Sequence, residues 1–150
     1  MARGPGPSVI VIDANLLLYF YDSRSPHHDK SLAWMEKAFS GTEAIGLPWQ
    51  TVSAFLRIVT HRKLPGFRLT LEQAAEFVDE WLRQPNVRLL LPADDYWAVL
   101  RRVMIEGQAA GPLVSNAEVA ALTIAYGAML YTAHRDFARF PGLRWKNPLA

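Results

Sequence analysis

The sequence predicts a three-layer α/β/α fold built on a central, mainly parallel sheet of four to five strands. Three observations lead there. Val9-Ile10-Val11-Ile12 is a run of four β-branched aliphatics, the pattern of a short strand buried on both faces. Further short apolar runs at 44–47, 87–91 and 129–132 alternate with segments of helical periodicity. Polar residues then gather where these runs give way to helices. In an open α/β sheet that carboxyl edge is where chemistry sits.

A chain of 150 residues is the size of one domain, expected over 8–150 after a flexible leader at 1–7. The composition is 51% hydrophobic and 20% charged, ordinary for a globular protein. No apolar run approaches the ~18 residues that cross a bilayer, and the leader lacks the apolar segment of a secretory signal. No membrane partner is therefore expected. The chain has no cysteine, which excludes disulfides and thiolate metal sites and makes the cytoplasm the expected location. Net charge is only +2, but basic residues crowd two segments. One holds Arg57, His61, Arg62, Lys63 and Arg68, the other Arg135, Arg139, Arg144 and Lys146. Such clusters meet phosphates or simply face solvent.

Each element follows from local chemistry. After the first strand, Leu16-Leu17-Leu18-Tyr19 reads as a short helix, ended by the turn Ser23-Arg24-Ser25-Pro26. Leu32, Met35 and Phe39 then share one helical face, and Gly41 closes that helix. His27 and His28, just before it, read as solvent-facing. The strand at 44–47 leads into Pro48, suited to a helix start. In the helix that follows, Trp49, Val52, Phe55 or Leu56, and Val59 form an apolar stripe, with Arg57 and His61 on the polar side. Pro65-Gly66 breaks it.

Thr70 and Gln73 have the spacing of a capping box, opening a helix with Ala74, Phe77, Val78 and Trp81 inward. Gln84-Pro85-Asn86 turns into the strand at 87–91. Asp94 is placed to cap a helix bearing Trp97, Leu100 and Met104 inward, and 107–112 is a loop of small residues. Ser115 and Glu118 again have capping-box spacing, before a helix that Gly127 ends. A fourth strand at 129–132 precedes His134, Arg135 and Asp136, and 143–145 reads as an edge strand.

Three polar clusters thus occupy comparable places. Asp13 follows the first strand, Asn116 and Glu118 start a late helix, and His134 and Asp136 follow the fourth strand. Neighbouring strand ends lie about 5 Å apart, so such groups can meet in one cleft. Oxygen ligands of this kind hold hard cations such as Mg²⁺ or Mn²⁺, which activate water for attack on a phosphodiester. A simpler reading of Asp13 is an N-cap for the helix it precedes.

These segments together resemble the PIN-domain family, and within it the VapC-like ribonuclease toxins of toxin–antitoxin pairs. The resemblance rests on Val11-Ile12-Asp13-Ala14-Asn15-Leu16-Leu17, Leu47-Pro48-Trp49 with Ala54-Phe55-Leu56-Arg57, and Asn116-Ala117-Glu118-Val119-Ala120-Ala121-Leu122. It continues through Arg135-Asp136-Phe137-Ala138-Arg139-Phe140 and Asn147-Pro148-Leu149. It implies a parallel sheet between helices, an acidic Mg²⁺ or Mn²⁺ pocket, cleavage of RNA, a homodimer, and a small VapB-like antitoxin that blocks the pocket. It also implies that Asp13, Asn116 and Asp136 are the catalytic and metal residues, with His134 a further candidate ligand.

The chain departs from the family where it matters. Asn116 and His134 stand where members usually carry Asp, and Val52 where many carry Glu. Asn keeps a carbonyl ligand but no charge, so the implied metal site is weakened. His134 suits a first-row metal, a phosphate when protonated, or plain solvent. Glu118 lies about 200° around the helix from Asn116, which assigns it to capping Ser115. Arg57 suits an RNA phosphate or a structural ion pair. The tryptophans, Trp145 apart, read as core.

The alternative is a PIN-like module that binds antitoxin or RNA without cleaving. A phosphotransferase with Asp13 as nucleophile calls for a second Asp two residues on. Asn15 stands there instead, suited to orienting Asp13 by a hydrogen bond.

Overall fold

The structure, a computed structural model, describes residues 9–61 and 66–150. The expected leader at 1–7, and Arg62, Lys63 and Pro65, lie outside the described residues.

The strand β1 (Val9–Ile12) runs into α1 (Ala14–Tyr21) and α2 (His28–Ser40). Then come β2 (Ala44–Pro48), α3 (Trp49–Val59), α4 (Leu71–Arg83), β3 (Val87–Leu90) and α5 (Tyr96–Glu106). A 3₁₀ turn (Gly111–Leu113) leads into α6 (Val114–Ala125) and β4 (Met129–Tyr131), and a second 3₁₀ turn (Arg135–Arg139) precedes β5 (Trp145–Lys146). The five strands form one sheet in the order β3-β2-β1-β4-β5, every pair parallel. The expected α/β class with a parallel sheet is therefore observed. The chain builds outward from β1 to β3, then returns past β1 to place β4. The boundary between β1 and β4 is the switch point of the sheet.

The pleat of β1 divides the core. Ile10 and Ile12 face one side, with Leu16, Leu17, Met35, Phe55, Val59 and Trp81. Val11 faces the other, against Ala117, Ala120 and Ala121 of α6, Leu130, Phe137 and Phe140. Three alanines on α6 let that helix lie close to the sheet. Each fully buried large side chain, such as Phe55 or Leu17, contributes about 1.5–3 kcal/mol of burial energy.

Local signals that act locally are found as expected. The Thr70 hydroxyl accepts from the Gln73 amide at 3.1 Å, and Gln73 Oε1 accepts from the Thr70 amide at 3.0 Å, a complete capping box. Gly127 takes φ 62°, and the amides of Gly127 and Ala128 close back on the carbonyls of Ile124 and Thr123 at 3.0 Å each.

Other expectations fail for identifiable reasons. The Ser115–Glu118 capping box does not form. The 3₁₀ turn with Pro112 starts the helical backbone early, so Leu113 takes the N-cap position and Ser115 is already inside α6. Trp97 is 63% exposed, because the inward stripe of α5 is Tyr96, Val99, Leu100 and Val103, with Trp97 about 100° from Tyr96. No side chain caps α5: Asp95, not Asp94, holds the N-cap position, without a cap hydrogen bond. Trp49, first in α3, is also out at the rim, at 49% exposed. His28 is half-buried with Nδ1 at 2.9 Å from the Tyr19 carbonyl oxygen, and His27 lies against the Tyr19 ring. The edge strand falls at Trp145–Lys146, where Leu130 and Tyr131 of β4 offer it partners.

Candidate functional site

The site begins where β1 ends. The Asp13 amide still donates to the Tyr131 carbonyl of β4 at 3.0 Å, so the carboxylate projects from the switch point. Asp13 Oδ1 accepts from the Ala14 amide at 2.9 Å, which makes it the cap of α1 as well. Asp13 Oδ2 accepts from Asn15 Nδ2 at 2.9 Å and from the Thr132 hydroxyl at 2.8 Å. Capping and site geometry are one arrangement here, not alternatives.

The supporting groups are themselves held. Thr132 Oγ1 accepts from Asn15 Nδ2 at 3.2 Å and from the His134 amide at 3.1 Å, so its donor and both lone pairs are used. Asn15 Oδ1 accepts from the Ala133 amide at 3.2 Å. Asn15 and Thr132 are buried, while Asp13 is half-exposed. Three donors on a carboxylate with about four lone-pair directions leave roughly one, toward solvent. Asn15 orients Asp13 as its spacing implied. Thr132 went unrecognised in the sequence. Its signal was a hydroxyl one residue past a strand that pairs with β1, but only the Ile12–Tyr131 register makes that visible.

The remaining candidates stand on neighbouring elements. Asn116 lies in the first turn of α6, half-buried, on the stripe of Ala120 and Thr123, both buried against the sheet. His134 and Asp136 are exposed, Asp136 in the second 3₁₀ turn. Among the described residues, the side chains of Asn116, His134 and Asp136 make no hydrogen bond to the Asp13 cluster. Nor do three His, Asp or Glu side chains stand close enough together to hold a metal ion by themselves. Val52 is core, 1% exposed. Two carboxylates and an amide carbonyl do match Mg²⁺, which keeps several waters and is bound through one or two carboxylates plus phosphate. The donor set fits a hydrated hard cation.

A second feature borders this one. Thr51 Oγ1 donates to the Ile12 carbonyl at 2.9 Å, pinning the start of α3 to the end of β1. Beside it Gln50 Nε2 donates to Glu118 Oε2 at 2.8 Å, tying α3 to α6. Glu118 therefore spans two helices in place of its expected capping role. Between them lies a cleft of about 290 Å³, lined by Trp49, Gln50, Ser53, Arg57, Ser115 and Glu118. Tyr96 approaches from α5 with its hydroxyl buried and unpartnered among the described residues. Burial, and then the Glu118 charge, push its phenol up to about 12.

An open parallel sheet with a carboxylate held at its switch point puts this chain in the α/β class, in which ligands bind outside the carboxyl ends of the strands. More particularly, the chain belongs to the PIN-domain family, whose model matches residues 10–143. It is 35% identical over 140 residues to Ribonuclease VapC37 of Mycobacterium tuberculosis (strain ATCC 25618 / H37Rv), covering 93% of this chain and 97% of that protein. It is 34% identical over 141 residues to Ribonuclease VapC33 of the same strain, covering 94% and 99%. Its fold is similar to VapBC2 from Rickettsia felis bound to a DNA fragment from their promoter. There the TM-score is 0.70 at 17% identity, over 93% of this chain and 98% of that one. The Mycobacterium tuberculosis VapC20, a sarcin-ricin loop cleaving toxin, gives a TM-score of 0.64 at 14% identity, over 90% and 98%. At those identities the structural likeness speaks for the fold.

Proposed function

We propose that this chain is a VapC-like toxin, a metal-dependent endoribonuclease with a weakened acidic site, paired with a VapB-like antitoxin and acting as a homodimer. The observation that supports it most is the Asp13 carboxylate, aimed by Asn15 and Thr132 at the β1/β4 switch point of a PIN domain. The relatives named as ribonucleases align over nearly the whole chain.

Asp13 and Asp136 would hold Mg²⁺ or Mn²⁺ with the carbonyl of Asn116, and His134 adds an imidazole suited to Mn²⁺. A bound ion would supply positive charge for a phosphate and make a nearby water more acidic. The chain's own part is orientation. Asn15 and Thr132 hold Asp13 in one rotamer, so its remaining lone pair stays directed outward. Asn116 contributes a neutral oxygen that orients water or ligates. With Asn116 and His134 in place of carboxylates, less negative charge offsets the dication and its affinity falls. Among the described residues no helix is long and apolar enough to cross a membrane.

A second reading is a PIN-like module that binds antitoxin or RNA without cleaving. The lack of a three-acid cluster among the described residues favours it. Isothermal titration with Mn²⁺, together with RNA cleavage by the natural chain and Asp13→Ala, separates the two. Saturable Mn²⁺ binding with cleavage lost in Asp13→Ala is the expected result. Absence of both Mn²⁺ binding and Asp13-dependent cleavage removes the nuclease and leaves the binding module.

A further inference from the structure

We propose that the cleft between α3 and α6 is a base-reading subsite that selects guanine in single-stranded RNA next to the cleavage centre. The proposal rests on the RNA-cleaving reading above and adds its specificity.

The cleft has the parts that single-stranded RNA recognition requires, on two different helices. Trp49, Ser53 and Arg57 are spaced i, i+4, i+8 and so share one face of α3. Trp49 is 49% exposed at the end nearest the sheet edge. An aromatic face left in water at a polar cleft is a stacking platform for a base. Arg57, two turns along and exposed, has no ion pair among the described residues, so its guanidinium is available to a phosphate.

Across the cleft, Glu118 supplies the base-reading edge. Its Oε2 holds the Gln50 amide, which fixes the carboxylate's position, while Oε1 makes no hydrogen bond among the described residues. Glu118 Oε1 is thus the one carboxylate oxygen in the cleft with no hydrogen bond among the described residues, beside the Ser53 and Ser115 hydroxyls, which accept or donate. Guanine alone among the four bases offers two adjacent donors, N1–H and the N2 amine, on its Watson–Crick edge. Adenine and cytosine place an acceptor beside their amine, and uracil flanks its single N–H with two carbonyls. Against a carboxylate those acceptors repel.

The position suits a base flanking the scissile bond. Thr51, between Gln50 and Ser53, is bonded to the carbonyl just before Asp13, and Ser115 of the cleft precedes Asn116. Asn116 and Glu118 are two residues apart at the start of α6 and about 200° apart around it, so the cleft and the candidate metal residues share that helix end on different sides.

The test is fluorescence anisotropy of the full chain with short labelled oligoadenylates carrying one central guanine, inosine or adenine, without divalent metal so that nothing is cut. The guanine oligomer is expected to bind about tenfold tighter than the adenine one, with inosine, which lacks the N2 amine, between them. Glu118→Gln, which still accepts from Gln50, should equalise the three. Trp49→Ala should weaken all three about tenfold and Trp49→Phe should restore them. Equal binding of the three oligomers, no binding of any, or a preference that survives Glu118→Gln overturns the proposal. So does a loss of thermal stability in Glu118→Gln with unaltered preference, the mark of a purely structural tie. Cleavage with Mn²⁺ is read separately. Guanine-selective binding without cleavage sinks only the nuclease, and cleavage without guanine preference sinks only the subsite.

Discussion

Thr132 donates its hydroxyl to Asp13 Oδ2 at 2.8 Å, joining residues 119 positions apart at the ends of two adjacent strands. That bond, with Asn15 beside it, fixes the orientation of a carboxylate that also caps α1. Replacing Thr132 by Val keeps the volume and removes the donor; the buried Asn15 side-chain amide then keeps only Asp13 as acceptor, and the His134 backbone N–H loses its acceptor. Thr132→Val is expected to cost about 1–3 kcal/mol in urea unfolding. Titration calorimetry should show Mn²⁺ affinity falling about 10- to 100-fold, the usual effect of losing a group that orients a ligand. Unchanged affinity would mean that Asp13 does not need this support.

Charge at the site is the second variable. Asn116→Asp together with His134→Asp adds two carboxylates on the elements flanking Asp13. Metal affinity and RNA cleavage at limiting Mn²⁺ should both rise, by about tenfold or more, since hard dications are held by charged oxygens. A restored acidic set that stays inert would place the loss of activity beyond the metal ligands.

Two phenols predict an alkaline limit. Tyr21 is pushed up to about 12 mainly by burial, opposed by the hydrogen bond from Trp81 and raised further by Glu80. Tyr96 reaches about 12 through burial and then Glu118. Between about pH 10 and 12 the unfolded chain has lost these protons and the folded chain keeps them. Stability is therefore full below pH 10 and falls as pH rises through that window. Thermal melts across it should show a shallower fall in Tyr21→Phe than in the natural chain.

The same Tyr21 oxygen accepts from Trp81 Nε1 at 2.7 Å, deep against Phe55 and Phe77. Tyr21→Phe thus also strands a buried indole N–H. Urea unfolding at neutral pH should show a loss of about 1–3 kcal/mol.

Gly46, in the middle of β2, has no room for a side chain. A Cβ there would meet three carbons of the Leu90 side chain at 2.7, 2.8 and 2.9 Å. Gly46→Ala is expected to destabilise by about 1–3 kcal/mol through overpacking. Adding Leu90→Val, which shortens the obstructing side chain, should recover part of that in a double-mutant cycle.

Signals confined to a few neighbouring residues acted as the sequence implied: the apolar run of β1, the Thr70–Gln73 box, the Gly127 stop, and the Asn15 amide two residues from Asp13. Each depends on backbone geometry within one turn, so the partners are already adjacent in the chain. Ser115 and Glu118 had the same kind of spacing and failed, because a 3₁₀ turn upstream had already begun the helix. Trp49 and Trp97 were assigned inward by hydrophobicity and lie outward, since which stripe faces the sheet is set by where each helix starts. What the sequence determined by itself was the α/β alternation, the burial of β1 and the candidates Asp13, Asn116, His134 and Asp136. Only the tertiary structure decided that Thr132 meets Asp13 and that Glu118 meets Gln50. Those contacts depend on strand order and helix packing, which bring distant positions together and have no local periodicity to announce them.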